Sequence, residues 1–93
     1  MLEIRRTSQF KKDFRREVSN PRNRNLAFEL AKVVGLLQQE KVLPDRYQLH
    51  RLKGSFVGCF ECHIRPDLLL IFQRTDRRTL VLVRLGSHSE LFE

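Results

Sequence analysis

The chain has 93 residues, and its 18 lysines and arginines outnumber its 11 aspartates and glutamates, which gives a formal net charge of +7 at pH 7. This length is enough for one domain, spanning residues 1–93, with a small hydrophobic core. No apolar run reaches the roughly 18–20 residues of a membrane span, no segment resembles an export signal, and two cysteines are too few for a disulfide framework. We therefore predict a cytoplasmic protein that has no membrane partner.

The positive charge predicts a polyanionic partner. A small basic domain is a candidate to bind RNA, DNA or the ribosome, although an acidic protein partner would suit the same surface. The excess is concentrated in residues 1–24, which hold eight basic and three acidic residues and so carry a net charge of +5.

The first half of the chain is predicted to form one short strand and two helices. Residues 2–6 are a candidate edge strand. Residues 7–20 are predicted to form a helix that Thr7 or Ser8 caps, and its apolar face consists of Phe10, Phe14 and Val18. Residues 25–40 have the strongest helical pattern, through Leu26, Leu30, Val33, Val34 and Leu37. Two helices joined by a short loop predict an antiparallel hairpin.

After Pro44 the apolar period shortens towards 2, which predicts β-strands. Their predicted bounds are 47–52, 59–65, 68–74 and 79–86, and residues 87–93 close the chain without a predicted element. Short loops make these strands antiparallel neighbours. We therefore predict an α+β domain, in which an N-terminal strand and a two-helix hairpin pack on a mainly antiparallel sheet of four to five strands.

Alternation along residues 59–65 assigns side chains to the two faces of one strand. Phe60, Cys62 and Ile64 are predicted to face one way, and Cys59, Glu61, His63 and Arg65 the other. The run of apolar residues at 68–74 is typical of a central strand that is buried on both faces.

The same segment contains Cys59-x-x-Cys62-His63, which is the pattern of covalent haem attachment. On a strand, residues three apart point to opposite faces, so the two sulfurs would diverge and could not reach one porphyrin edge. A zinc ribbon needs a second C-x-x-C, which the chain lacks. A metal held by the three histidines is a minor alternative, and the favoured interpretation is that both cysteines fill the core.

Acid–base chemistry is the more promising interpretation of this region. His50, His63 and His88 all lie in the C-terminal half, and Asp67 follows His63 across a turn at Pro66. Histidine titrates near neutral pH, so a pair can serve as general base and general acid. RNA carries its own nucleophile in the 2′-OH, so its cleavage needs only a base, an acid and a cation to stabilise the transition state. Each of these residues, taken singly, is more often an ordinary solvated or turn residue, and their combination in a basic domain favours function only modestly.

Three segments taken together resemble the YafQ branch of the RelE superfamily, whose members are toxins of type II toxin–antitoxin systems. These segments are HRLKG (50–54), GCFECHIRPDLLLIF (58–72) and LVRLGSHSELF (82–92), and the helical half agrees only in its general pattern. The resemblance implies a RelE-like fold and a ribosome-dependent mRNA endoribonuclease that cuts in the ribosomal A site without a metal or cofactor. It also implies a cognate antitoxin, with operator DNA bound only through that antitoxin.

The resemblance places the family's catalytic residues on His50, His63, Asp67, Arg84, His88 and Phe92. His88 is expected to be the general acid toward the leaving 5′-oxygen, and Asp67 or His50 the base on the 2′-OH. His63 would orient the phosphate or the acid, and Arg84 would stabilise the transition state. Contacts to RNA and the ribosome are expected from seven cations: Lys11, Lys12, Arg15, Arg16, Arg51, Lys53 and Arg65.

One departure from the family concerns the residue after the aspartate, where Leu68 stands in place of the usual tryptophan. A base-stacking platform would be lost there. The alternative function is therefore a RelE-like module of weak catalytic power that acts mainly in antitoxin binding and transcriptional autoregulation.

Overall fold

The computed structural model describes residues 1–93 and contains three α-helices and five β-strands. In chain order these are β1 (Glu3–Arg6), α1 (Ser8–Val18), α2 (Leu26–Gln38), β2 (His50–Arg51), β3 (Phe60–Arg65), β4 (Leu68–Arg74), β5 (Thr79–Gly86) and α3 (His88–Phe92). Short 3-10 turns occupy Asp45–Tyr47 and Gly54–Phe56. None of the helices combines the length and the apolar character that crossing a membrane requires.

The five strands form one mixed sheet in the order β1-β5-β4-β3-β2. β1 pairs in parallel with β5, and every other neighbouring pair is antiparallel. The predicted α+β architecture, with a two-helix hairpin and a mainly antiparallel sheet, is confirmed.

Each face of the sheet has its own hydrophobic cluster. On the inner face, α1 packs over β5 and α2 packs over β3, and the cluster includes Phe10, Leu26, Leu30, Val33, Cys62, Ile64, Leu68, Leu70 and Phe72. On the outer face, the smaller cluster joins Cys59, Leu69 and Ile71 to Leu91 of α3. The central strand β4 is therefore buried on both faces, as its apolar run predicted.

Side chains of α1 complete the edge of the sheet beyond the end of β1. β1 pairs only with Thr79–Leu82, which leaves the C-terminal half of β5 without a neighbouring strand. There the N–H of Leu85 donates to Asp13 Oδ2 at 3.0 Å, and the carbonyl of Leu85 accepts from Arg16 Nη2 at 2.9 Å. Because a buried backbone polar group must find a partner, these two side chains substitute for the missing strand.

Two predicted elements of the C-terminal half differ from the structure. The strand predicted at 47–52 is present but shorter, because residues 45–47 form a 3-10 turn after Pro44 and Gln48 then adopts a left-handed conformation with φ of 48°. Only His50 and Arg51 pair with β3 as a result. Residues 87–93, for which no element was predicted, contain α3, whose first turn is closed by a capping box between Ser87 and Glu90.

The side chains of Val18 and Arg65 do not lie where the sequence pattern predicted them. Val18 is 40% exposed and does not continue the apolar face of Phe10 and Phe14. Arg65 was expected beside His63, but a register shift between these residues turns it to α2, where its guanidinium bonds to Glu29.

Candidate active site

The outer face of the sheet brings the predicted catalytic histidines to one side of the molecule. Cross-strand partners share a face, and the register pairs His50 with Glu61 and His63 with Leu69. Leu69 belongs to the cluster that contains Leu91 of α3, so α3 lies on this same face. His63, Leu69 and Gly86 form one row across three strands, which puts the strand that leads to His88 roughly 10 Å from β3.

A buried glutamate joins two of the histidines. Glu61 is 4% exposed, and its Oε2 lies 2.7 Å from Nε2 of His50 and 3.7 Å from Nε2 of His63. Its other oxygen, Oε1, is buried and has no hydrogen-bond partner. Leaving a buried acceptor unpaired destabilises a fold, and such positions are typical of functional sites.

The partners of His50 determine where its protons are. Nδ1 lies 2.9 Å from the carbonyl oxygen of Gln48, which can only accept, so Nδ1 carries a proton. A second proton must lie between Nε2 and Glu61, because these atoms are 2.7 Å apart. Both nitrogens of His50 are therefore engaged, and neither has a free lone pair.

His63 has a different arrangement. Its Nδ1 faces the carbonyl oxygen of Pro66 at 3.3 Å, and its Nε2 lies beyond hydrogen-bond distance of Glu61. Nδ1 therefore carries the proton and Nε2 keeps a lone pair. The contact to Pro66 also connects β3 to the turn that presents Asp67.

Asp67 and His88 are in direct contact. The backbone N–H of His88 donates to Asp67 Oδ1 at 3.0 Å, which fixes the start of α3 against the β3–β4 turn. The other carboxylate oxygen of Asp67 makes no hydrogen bond within the protein. The imidazole of His88 lies against the ring of Phe92, with 5.0 Å between ring centroids, and its nitrogens have no protein partner. Both groups are therefore available to a substrate.

An aromatic pair extends the site beyond His88. Phe92 also meets Phe56 edge to face, with ring centroids 5.7 Å apart, and 38% of Phe92 is exposed. Leu68 is 4% exposed and lies in the inner cluster, on the face opposite the histidines. In this chain the aromatic surface of the site therefore consists of Phe56 and Phe92.

Sequence reasoning missed two residues of the site. Glu61 was placed on the same face as His63 by the alternation of β3, but the contact to His50 depends on strand pairing that the sequence does not show. Phe56 lies in a glycine-flanked 3-10 turn, and no periodic pattern marked it as a partner of Phe92.

Arg84 is held by a buried carboxylate. Its Nε and Nη2 donate to Asp13 at 2.8 and 3.3 Å, so only Nη1 is left without a protein partner. Asp13 is fully buried. Burial by itself raises the pKa of Asp13, but hydrogen bonds from Arg84, the N–H of Leu85, Gln9 and Arg16 together bring this pKa below its usual value.

The seven cations expected to contact RNA or the ribosome fall into two groups. Lys11, Lys12, Arg15, Arg51 and Lys53 are exposed, and none of them forms an ion pair within the chain. By contrast, Arg16 and Arg65 are engaged internally. Arg65 bonds to Glu29, to Asn23 and to the carbonyls of Arg22 and Arg24. RNA or ribosome binding by any of the seven stays a prediction.

Neither cysteine is placed for haem or metal chemistry. Cys59 lies in the outer cluster and Cys62 in the inner one, as strand alternation predicted. Burial, with a smaller contribution from the charge of Glu61, raises the pKa of Cys62 to about 12, so its thiol stays protonated. No three His, Cys, Asp or Glu side chains are grouped so that they could hold a metal ion.

The chain is similar to known proteins over nearly its whole length. Residues 2–93 match the family model described as the YafQ bacterial toxin of the type II toxin–antitoxin system. A curated relative, the mRNA interferase toxin YafQ of Escherichia coli (strain B / BL21-DE3), is 31% identical over 90 residues, which cover 97% of this chain and 95% of the relative.

Two solved structures extend the likeness to the whole fold. A metal-bound toxin from Helicobacter pylori is 47% identical, with a TM-score of 0.87 and coverage of 99% of this chain and 100% of the other. The E. coli DinJ–YafQ complex contains a chain 31% identical, with a TM-score of 0.85 and full coverage of both chains. The chain therefore belongs to the YafQ family of bacterial type II toxin–antitoxin toxins.

Proposed function

We propose that this toxin is an mRNA endoribonuclease that cuts the A-site codon on the ribosome, without a metal, and that a cognate antitoxin neutralises it. Family membership and the E. coli relative named an mRNA interferase support the nuclease activity. The DinJ–YafQ complex supports an antitoxin partner, through which the toxin would reach operator DNA. The exposed cations of α1 would contact ribosomal RNA or an acidic segment of the antitoxin.

The observation that carries the proposal is the contact between Asp67 and His88. It holds a carboxylate with a free oxygen at the first residue of α3, the residue whose imidazole nitrogens are both without a protein partner. A carboxylate that accepts a proton next to an imidazolium that gives one is the minimum that strand cleavage by the 2′-OH requires.

The reaction follows from these positions. Asp67 removes the proton of the 2′-OH, and the resulting oxyanion attacks the adjacent phosphorus. The bond from phosphorus to the 5′-oxygen breaks, and the leaving oxygen takes a proton from the imidazolium of His88. The products are a 2′,3′-cyclic phosphate and a 5′-hydroxyl. Nη1 of Arg84 supplies positive charge for the phosphorane-like transition state.

The hydrogen bonds of His50 favour Asp67 as the base. His50 has no free lone pair while it bonds to Gln48 and Glu61, so it cannot accept a proton without first losing a partner. Its role in the proposal is to hold β2 and to keep Glu61 in place. His63, with a free lone pair on Nε2, accepts a hydrogen bond from the RNA and so orients it.

The metal-bound relative from H. pylori makes a metal worth testing. In this chain His50 and His63 converge on Glu61, but these side chains do not form a group of three that could hold a metal ion. No step of the proposed reaction therefore uses one. Cutting that persists in excess EDTA agrees with this, and cutting that EDTA abolishes and zinc or copper restores would overturn it.

Primer extension on mRNA in programmed ribosome complexes tests the proposal, with wild-type protein compared to His88→Ala. We expect cuts confined to the A-site codon, lost in the variant while its circular dichroism spectrum stays that of the wild type. Equal cutting of naked RNA contradicts ribosome dependence. Equal inertness of both proteins, with antitoxin binding intact, would support the alternative of a weakly catalytic module that acts through its antitoxin.

A further inference from the structure

α3 is a short helix that carries two residues of the candidate site, and something must hold it in place. It spans only His88–Phe92, and a helix of five residues is not stable by itself. Its contacts to the rest of the chain are Leu91 in the outer cluster, the edge-to-face contact of Phe92 with Phe56, the bond from His88 to Asp67, and an ion pair between Glu90 and Arg16 of α1. Only the ion pair reaches a different helix.

Arg16 connects three elements through one guanidinium. Nη1 donates to Asp13 at 2.9 Å within α1, and Nη2 donates to the carbonyl of Leu85 in β5 at 2.9 Å. Nε lies 2.8 Å from Glu17 and 3.0 Å from Oε2 of Glu90. Asp13 and Leu85 therefore hold this guanidinium through contacts that do not involve α3.

Glu90 uses its two oxygens for different purposes. Oε1 accepts from the N–H of Ser87 at 2.8 Å and closes the capping box, whereas Oε2 meets Arg16. Gly86 makes the arrangement possible, because a Cβ at that position would lie 2.9 Å from Nη2 of Arg16 and 3.1 Å from Oε1 of Glu90.

From these contacts we propose that Arg16 and Glu90 are positioning residues, a clamp between α1 and α3 that sets the place of His88 and Phe92. The inference rests on the proposed function for its catalytic consequence, but not for its structural one. It assigns Arg16 to the support of the site rather than to contact with ribosomal RNA.

Glu90→Gln separates the clamp from the cap. The glutamine oxygen still accepts from the N–H of Ser87, while its uncharged NH₂ takes the place of the oxygen that forms the ion pair with Arg16, so that ion pair is lost. Glu40→Gln is the matched control, because Glu40 pairs with Arg74 at 3.1 Å on a remote and more exposed surface. Gly86→Ala is an independent variant that changes no charge, because its Cβ would crowd Arg16, Glu90 and Leu91.

Two measurements test the clamp. NMR of histidine-labelled protein reports the surroundings of His88, which include the hydrogen bond from its N–H to Asp67 outside α3 and the ring of Phe92. Single-turnover cutting on programmed ribosomes reports the rate and the affinity separately. We expect Glu90→Gln and Gly86→Ala to move the His88 signal toward its random-coil position. We also expect a roughly ten- to hundredfold slower cut with an affinity within about twofold of wild type, since small misplacements of a reacting group have effects of this size.

Wild-type His88 shifts and cutting rates in both variants would overturn the clamp, and so would an equal effect from Glu40→Gln. If wild-type protein cuts no RNA, the proposed function fails, and the His88 shift alone then decides whether the clamp exists.

Discussion

Glu61 Oε2 lies 2.7 Å from His50 Nε2, while the other oxygen of the same carboxylate is buried without a partner. The site therefore holds one carboxylate in a position that is costly for folding. An unpaired buried polar atom lowers the free energy of unfolding by roughly 1–3 kcal/mol. A residue that function requires can be retained despite this loss of stability.

The first prediction is that Glu61→Leu lowers activity without lowering stability. We expect the free energy of unfolding at pH 7 to stay level or rise by about 1 kcal/mol, because the orphaned oxygen is removed. Cutting should fall at least about tenfold, since His50 loses the partner that fixes its ring and proton. Urea denaturation and single-turnover cutting measure the two effects. Glu3→Gln, on the exposed edge strand, serves as control, and a Glu61→Leu protein that cuts like wild type sinks the prediction.

The second prediction ranks the candidate bases. Asp67→Asn keeps an oxygen that can accept from the N–H of His88, but it can no longer take a proton. We expect its cutting rate to fall by roughly 10²–10⁴, the usual contribution of a general base, while ribosome affinity is unchanged. His50→Gln should fall less, because both nitrogens of His50 are already engaged. The reverse ranking, measured in single turnover across pH 5–9, would make His50 the base.

Much of the fold follows from local sequence signals. The run LLLIFQR and the segment TLVLVRLG form strands with the predicted bounds of 68–74 and 79–86. A continuous run of apolar and β-branched residues favours a buried strand. These signals fail where a single unusual backbone conformation determines the length of a strand. Gln48 in the left-handed region cut a predicted six-residue strand to two residues, and no propensity scale anticipates that conformation.

The sequence gives candidate residues for the site, but it gives little information on which of these residues contact each other. Asp13 lies 72 residues before Leu85, and the two meet because β1 pairs with β5 and α1 packs on β5. Arg16 and Arg65 read as surface cations, because a helix pattern or a strand pattern cannot show a carboxylate contributed by a distant element. The S-x-x-E pattern of Ser87 and Glu90 was a local signal for α3 that sequence reasoning could have used.

The third prediction concerns acid stability. Because the pKa of Asp13 is lowered in the folded protein, its ionised form contributes stability that is present above the unfolded value of about 4 and is lost as the pH falls through the folded pKa. Asp13→Asn should lower the free energy of unfolding at pH 7 by about 3 kcal/mol, the lower end for breaking a buried ion pair. Below pH 4 the difference from wild type should shrink.

Urea denaturation at intervals from pH 7 to pH 2 measures this difference. Asp45→Asn is the control, because Asp45 is exposed and forms no ion pair, and its curve should run parallel to that of the wild type. A difference for Asp13→Asn that stays constant down to pH 2 contradicts the assignment.

The fourth prediction separates exposed cations from internal ones. Replacing Lys11, Lys12 and Arg15 by glutamine should weaken ribosome binding and flatten its salt dependence, with the slope of log K against log salt falling by roughly 0.7 for each phosphate that the protein no longer neutralises. Arg65→Gln, which removes one positive charge as well, should leave that slope unchanged and instead destabilise the fold, because Glu29 and the 22–24 loop lose their partner. Filter binding at several salt concentrations distinguishes them. A flatter slope for Arg65→Gln, or an unchanged slope for the triple variant, would contradict this prediction. Internal hydrogen bonds would then not distinguish the cations that contact RNA from those that do not.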